Sequence, residues 1–337
     1  MIKIKKVPML IFLALMFFGV AAAQTPRMMY GDATGASGMP FSKDPYVVNF
    51  KGRYLMYYSM WKLKDSNDPH SGKFLAIGIA QSSNLNDWKK VGEMLPEGPY
   101  EKKGLGAPGA LIRDGKVHLF YQTYGNDAKD AICHAVSDDG IHFIRDASNP
   151  IFHPKKSAWT NGRAIDADVY FFNGKYFLYF ATRDTAGRIQ KLGVATAPAN
   201  TDFSRKDWTQ ASHDAILAPQ LDWEGQCIEA PSIIAHKGKL FMFYAGNYNN
   251  HPQQIGVAVS RDGISWERIS RSPFLSNGKP GEWNESESGH PDIFEDSDGK
   301  TYLFFQGNKD NGKTFYLSNV RVYWKRKFPY LKSAAKR

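Results

Sequence analysis

Three carboxylates, Asp44, Asp166 and Glu229, stand at matching places in a chain of 337 residues. Each opens a short apolar strand that runs into a glycine turn and then into an aromatic strand. Ala107 and His290 hold the same place in two further copies of that pattern. A carboxylate at the mouth of a buried hairpin costs desolvation energy unless something uses it or pairs with it. Carboxyl groups converging on a concave site suit cleavage of a glycosidic bond. One protonates the leaving oxygen while another serves water or the anomeric carbon. A third acid raises the donor's pKa by like-charge repulsion. The alternative, that such residues only cap strands, suits one aspartate better than three acids at one repeat position.

The pattern that places them recurs five times: "DPYVVNFKGRYLMYYS", "APGALIRDGKVHLFYQ", "DADVYFFNGKYFLYFA", "EAPSIIAHKGKLFMFYAG" and "HPDIFEDSDGKTYLFFQG". Its turn glycines, Gly52, Gly115, Gly174, Gly238 and Gly299, are 63, 59, 64 and 61 residues apart. Glu229 and His290 lie one residue further from their glycines than the other three do from theirs. A third strand follows each hairpin and ends in a polar turn and an aromatic: Trp88, Phe143, Trp208, Trp266 and Trp324. One aromatic per unit is expected to pack between neighbouring units. Three strands per repeat, room for a fourth and almost no helical periodicity predict an all-β, five-bladed β-propeller. The inner strand of each blade then begins at one face of the central channel, so Asp44, Asp166 and Glu229 converge there.

The first 23 residues read as a signal peptide: basic Lys3, Lys5 and Lys6, an apolar run from Pro8 to Val20, and a small-residue cleavage site near Ala23. The run is short for a membrane span, and no cysteine follows it to carry a lipid. A periplasmic or secreted protein is expected, with no membrane association after cleavage. Residues 24–337 are taken up by one propeller, which leaves no room for a second domain. The net charge of +10 falls to +7 without the leader lysines, and Lys325, Arg326, Lys327, Lys332, Lys336 and Arg337 form a basic tail. That balance is a solvated basic surface, compatible with an acidic polysaccharide. No nucleic-acid partner is expected. Cys133 and Cys227 fall in non-adjacent repeats and are expected to be free and buried. Neither has zinc-site spacing, and there is no phosphate loop or serine elbow.

Taken blade by blade, "KDPYVV", "GAPGALIRDGKVHLFY", "AIDADVYFFNGKYFLYF" and "IEAPSIIAHKGKLFMFY" resemble successive blades of glycoside hydrolase family 43. The resemblance spans nearly the whole chain after the leader. It implies Asp44 as general base, Asp166 as the acid that orients and tunes, and Glu229 as general acid. "SGHPDIF" resembles the fifth-blade Gly-His of that family, which implies His290 beside an ion or water in the channel. His290 is therefore the expected metal contact for a structural calcium, with no cofactor required for the chemistry. Asp166 is followed by Ala167 where the family usually has proline, and Asp168 competes for the same role. Asp32 of "GDATG" could also reach the channel. Subsite candidates are Trp61, Trp159, Arg163, Trp223, Trp283 and His290, since aromatic faces stack on sugars and arginine holds hydroxyls or carboxylates.

The expected function is exo-acting, inverting cleavage of plant or algal oligo- or polysaccharides, of arabinofuranosidase, xylosidase or galactosidase type. Fructan-cleaving propellers, and neoagaro-oligosaccharide-cleaving ones that use a fifth-blade histidine as acid, are alternatives. So is a silent carbohydrate-binding propeller, which would have lost part of the acid set.

Overall fold

Each blade forms because its hairpin is closed locally. Lys51-Gly52, Asp114-Gly115, Asn173-Gly174 and Lys237-Gly238 all have positive φ at both residues, the geometry of a two-residue turn that matches strand twist. The computed structural model describes residues 28–332 except residue 69. The leader, residues 1–23, and the last two basic residues of the tail lie outside the described residues.

Five four-stranded antiparallel sheets follow in order. Blade one holds β1 (Lys43–Phe50), β2 (Arg53–Leu63), β3 (Lys73–Ser82) and β4 (Lys89–Met94). Blade two holds β5 (Leu105–Arg113), β6 (Lys116–Thr123), β7 (Ile132–Ser137) and β8 (Ile144–Arg145). Blade three holds β9 (Ile165–Phe172), β10 (Lys175–Arg183), β11 (Gln190–Pro198) and β12 (Thr209–Gln210). Blade four holds β13 (Ile228–His236), β14 (Lys239–Gly246), β15 (Gln254–Ser260) and β16 (Glu267–Arg268). Blade five holds β17 (Glu287–Glu295), β18 (Thr301–Asn308), β19 (Tyr316–Lys325) and β20 (Phe328–Tyr330). The expected five-bladed propeller is therefore the fold, with the innermost strands β1, β5, β9, β13 and β17 around the axis.

The recurrent aromatics do pack between blades, and always onto the preceding one. Trp88 meets Phe304 of blade five, Phe143 meets Tyr57, Trp208 meets Phe120, Trp266 meets Tyr179 and Trp324 meets Phe241. The ring closes by the same means as its internal joints. Ile132, Leu192 and Ile255 each bridge to the segment that follows their own blade, at Phe152, Leu217 and Leu275. In blade five the equivalent Leu317 bridges to Tyr30, so the start of the described chain completes the last blade. Cys133 and Cys227 are free and buried.

Trp208 is 8% exposed and lies in the blade two–blade three joint, stacked on Phe203. Trp208→Ala should lower unfolding free energy by about 3–5 kcal/mol, the usual cost of truncating a buried aromatic. Urea titration followed by circular dichroism measures it; an unchanged midpoint would remove this residue from the joint.

Candidate active site

Every inner strand carries the same irregularity near its start. Asp44, Ala107, Asp166, Ala230 and His290 have φ of +53°, +42°, +54°, +49° and +44°. Strand pairing slips at each, as between Lys43 and Tyr46 or between Glu229 and Ser232. Left-handed backbone at a non-glycine residue is strained, and five such residues face one axis, ringing a small pocket of about 30 Å³ with the residues that follow them. Gln306, Ser59 and Gln122 each accept the N–H of one of them, from Asp44, Ala107 and Asp166, across a blade boundary.

This register corrects one alignment. The fifth hairpin turns through three residues, Ser297–Gly299, with Asp296 N donating to Lys300 O at 2.8 Å. The first turns through only two, so the extra residue before Gly299 is spent in the turn, and His290 is a true counterpart of Asp44. Glu229 is not. Ala230 holds the axial position in blade four, and Glu229 precedes it, at the place occupied in blade one by Lys43. Glu229 reaches the site from the side, between the third strands of blades three and four.

His290 joins the two outer acids. Its Nδ1 lies 3.0 Å from Asp44 Oδ1 and its Nε2 lies 3.0 Å from Glu229 Oε1. The two carboxylate oxygens are thus separated by two such contacts and the width of an imidazole ring, at most roughly 8 Å. Glu229 Oε1 also accepts Gln253 Nε2 at 2.7 Å, and its Oε2 accepts Gln190 Nε2. The Gln190 amide cannot turn round freely, because its Oε1 accepts Arg163 Nη1 and Arg183 Nε, each at 3.1 Å. Gln253 is seated against Gly289, where a Cβ would stand 1.7 Å from the Gln253 Oε1, so a side chain there would dislodge it. Asp166 lies within 4.8 Å of Glu229 and His290, its Oδ2 buried and without a partner.

The charges follow from these contacts. Burial opposes the Asp44 carboxylate, but the His290 charge 3.0 Å away and the Lys43 charge outweigh it and hold its pKa well below the usual carboxylate range. Burial also opposes ionised Glu229, and again His290, Lys43 and Gln253 prevail and lower its pKa. His290 is buried, yet its contacts with Asp44 and Glu229 raise its pKa well above the ordinary value. Asp166 lacks such partners. Burial, opposed by His290 and helped by the charges of Glu229 and Asp44, pushes it up to about 7. The free site therefore holds Asp44 and Glu229 as carboxylates about an imidazolium, with its remaining proton on Asp166.

Asp166 and Asp168, which alternation alone leaves on one side of the strand, are separated by the bulge. Asp168 lies deeper, 1% exposed, where it accepts Tyr46 Oη and Ile233 N, each at 2.8 Å. Asp292 accepts Val47 N at 2.8 Å at the same level, and Ser232 accepts Ile293 N at 2.9 Å. These contacts tie blades one, three, four and five together below the pocket. Burial, against those hydrogen bonds, pushes Asp168 up to about 7.

Several candidates belong elsewhere. Asp32 does not reach the channel: Tyr58 Oη donates to it at 2.7 Å and Lys90 lies 3.1 Å away. The same buried acid, tyrosine and base recur as Glu101, Tyr121 and Arg145, and as Glu224, Tyr244 and Arg268. Trp159, Trp223 and Trp283 each stand seven residues before the axial residue of their blade. They fill space over blade glycines: Trp159 over Gly193, Trp223 over Gly246 and Gly256, Trp283 over Gly307. Trp159 is 5% exposed, so it is core and not a sugar platform. Arg163 acts on Gln190 and lies 3.6 Å from Asp130. Trp61 alone of the four tryptophans borders an open pocket. Asp166, Glu229 and His290 bring three ligand atoms within 4.8 Å of one another, two of them carboxylate oxygens, and a calcium ion there would draw its remaining oxygens, of the six to eight it takes, from water.

Lys43, Gln190 and Gln253 had no place in the sequence reading, although a signal exists. Both glutamines stand three residues before the third-strand glycine of their blade, in "QKLG" of blade three and "QQIG" of blade four.

The family model for glycosyl hydrolases family 43 matches residues 39–326. The chain belongs to that family. It is 24% identical over 179 residues to an α-L-arabinofuranosidase 43 of Humicola insolens, covering 48% of this chain and 36% of that protein. It is 24% identical over 244 residues to an extracellular exo-α-(1→5)-L-arabinofuranosidase of Streptomyces avermitilis, covering 65% of this chain and 47% of that one. The matches thus span less than half the length of these two relatives. A thermostable family-43 glycoside hydrolase superposes with a TM-score of 0.68 at 22% identity, over 90% of this chain and 96% of that one, a likeness of fold.

The buried acids leave a mark on stability. A carboxyl whose folded pKa is raised contributes stability that is present below its unfolded pKa and lost as pH rises through the folded one. Asp168, raised from 3.8 to about 7, therefore weakens the fold between those limits. Asp168→Asn presents an amide to Tyr46 and Ile233 and carries no such proton. Its unfolding free energy should fall less steeply over that range, by up to about 1.4 kcal/mol per pH unit, while Asp166 and Asp292 keep part of the slope. Urea midpoints at several pH values would show it; parallel curves for variant and wild type would contradict it.

Proposed function

We propose that this family 43 chain is a glycoside hydrolase that removes terminal sugars, of arabinofuranosyl or xylosyl type, by direct attack of water with inversion. The observation that carries the reading is His290 held between Asp44 and Glu229. It stands between the two carboxylates and limits their separation to at most roughly 8 Å, within which a water can lie between them as in inverting enzymes. The names of the relatives support the sugar type. Export, as the leader suggests, belongs to the same proposal.

Asp44, kept ionised by His290 and Lys43, takes a proton from water as the oxygen forms its bond to the anomeric carbon. The glycosidic C–O bond breaks and the leaving oxygen takes a proton from Glu229. Glu229 is ionised in the free site, so its proton comes from the neighbouring His290 Nε2 when substrate covers the site. Protonated Asp166 lies within 4.8 Å of Glu229 and His290 without adding a third negative charge. After product leaves, Asp44 returns its proton to solvent and His290 regains one.

Product anomers are resolved by proton NMR before mutarotation. Inversion should be seen first, and initial retention would recast Asp44 as a nucleophile. Asp44→Asn should lose about 10³-fold or more on all substrates. Glu229→Gln should lose about 10²–10⁴-fold on arabino-oligosaccharides and much less on p-nitrophenyl α-L-arabinofuranoside, whose leaving group needs little protonation. Wild-type kcat/KM should fall as pH rises past about 7, where Asp166 gives up its proton. Equal losses for both Glu229→Gln substrates would remove Glu229 from the acid role.

A further inference from the structure

A second pocket opens on the face that carries the active site, at the seam where blade five meets blade one. It has a volume of about 370 Å³ and is lined by Phe41, Trp61, Leu63, His70, Lys73 and Lys313, together with small residues of the 36–37 and 72 backbone. That is room for one or two sugar rings, within the usual size of a ligand pocket. Its distance from the chemistry follows from the strand. Ser59 pairs with Lys43, the residue before Asp44, and Trp61 is two residues further along β2, about 7 Å beyond. Phe41, which lines the second pocket, packs on Phe315, whose ring lies 5.1 Å from Nζ of Lys43, the neighbour of Asp44.

The lining has a definite chemistry. Trp61 is braced by Tyr124, edge-on at 5.6 Å, and by Phe41 at 6.3 Å, which fixes its indole plane. Lys73 Nζ stands 4.5 Å from the indole centroid. No acidic residue lines the pocket, and among the described residues neither Lys73 nor Lys313 forms an ion pair. Unpaired ammonium groups are common on surfaces. Here two of them line one pocket with a braced indole, Lys73 over the indole ring itself, a lining that suits an anion carried on a sugar.

We propose that this pocket is a subsite for an anionic sugar, carboxylated or sulfated, one or two residues from the bond that is cleaved. The ring lies on Trp61 and the anion lies between Lys73 and Lys313. The reading rests on the glycosidase assignment and extends it, from a neutral chain end to a substrate with a charged unit next to it.

Calorimetric titration of the full chain with trigalacturonate, a sulfated carrageenan tetrasaccharide and neutral arabinotriose tests it, at 20 and 200 mM NaCl. At least one anionic probe should bind about tenfold or more tightly than arabinotriose at low salt, with the advantage shrinking at high salt. Preference for trigalacturonate assigns a carboxylate, and preference for the carrageenan fragment assigns a sulfate. The paired change Lys73→Met and Lys313→Met should bring that preference below threefold, the paired change to arginine should restore it, and Trp61→Ala should weaken the anionic probes. Equal binding of all three probes, no binding of any, or a preference that survives loss of both lysines would overturn the proposal. Cleavage of p-nitrophenyl α-L-arabinofuranoside by the wild type is read separately: a failure there defeats the glycosidase assignment and leaves the binding result standing.

Discussion

An imidazolium between two carboxylates is the interaction on which the site depends. Glu229 is buried and the Asp44 side chain is only 10% exposed, and two anions so enclosed repel one another and lose hydration. His290 removes both costs at once, since each ring nitrogen faces one oxygen. It also decides where the protons are. With His290 charged, Asp44 and Glu229 stay ionised, and Asp166, left without a partner, is the acid that keeps its proton. A base that is ionised in the resting site is useful at once, whereas an acid in that state must be loaded, and the histidine holds the proton one hydrogen bond away.

The propeller makes this arrangement affordable. Strained left-handed backbone at five equivalent positions turns the start of each inner strand toward the axis. Hydrogen bonds across blade boundaries fix that strain, at the pocket through Gln306, Ser59 and Gln122, and below it through Asp168, Asp292 and Ser232. The interblade aromatics hold the blades themselves in place. A shift of one blade would therefore move one catalytic group relative to the rest, and the joints are built to resist it.

Much of this was legible in the sequence because it repeats. The glycine turns gave away five hairpins, and the recurrent aromatics gave away the joints, since a blade cannot bury its face alone. Asp44, Asp166 and His290 were found by their place in the repeat. What misled was counting from the turn. Glu229 and His290 carry the same offset for different reasons, one a longer turn and the other a real change of register, and no spacing separates them. Trp159, Trp223 and Trp283 looked like sugar platforms because each precedes an inner strand. Their own recurrence, seven residues ahead of the axial residue, marks them as blade packing instead. Asp32 likewise belongs to a repeated acid–tyrosine–base staple, hidden because its acid is aspartate where the others are glutamate and stands 26 residues from its tyrosine where the others stand 20. Gln190 reaches Glu229 from the neighbouring blade and Gln253 from the far end of its own, contacts that sequence order does not display.

The central claim concerns the charge on one ring, and nitrogen-15 NMR of histidine-labelled protein measures it directly. Both His290 ring nitrogens should show the shifts of a protonated imidazolium at pH 7 and should keep them well above the ordinary histidine titration range near 6.5. Loss of the signal in His290→Gln assigns it. A neutral tautomer at pH 7, with one protonated and one bare nitrogen, would contradict the account, because Asp44 and Glu229 could not then both rest as carboxylates against it.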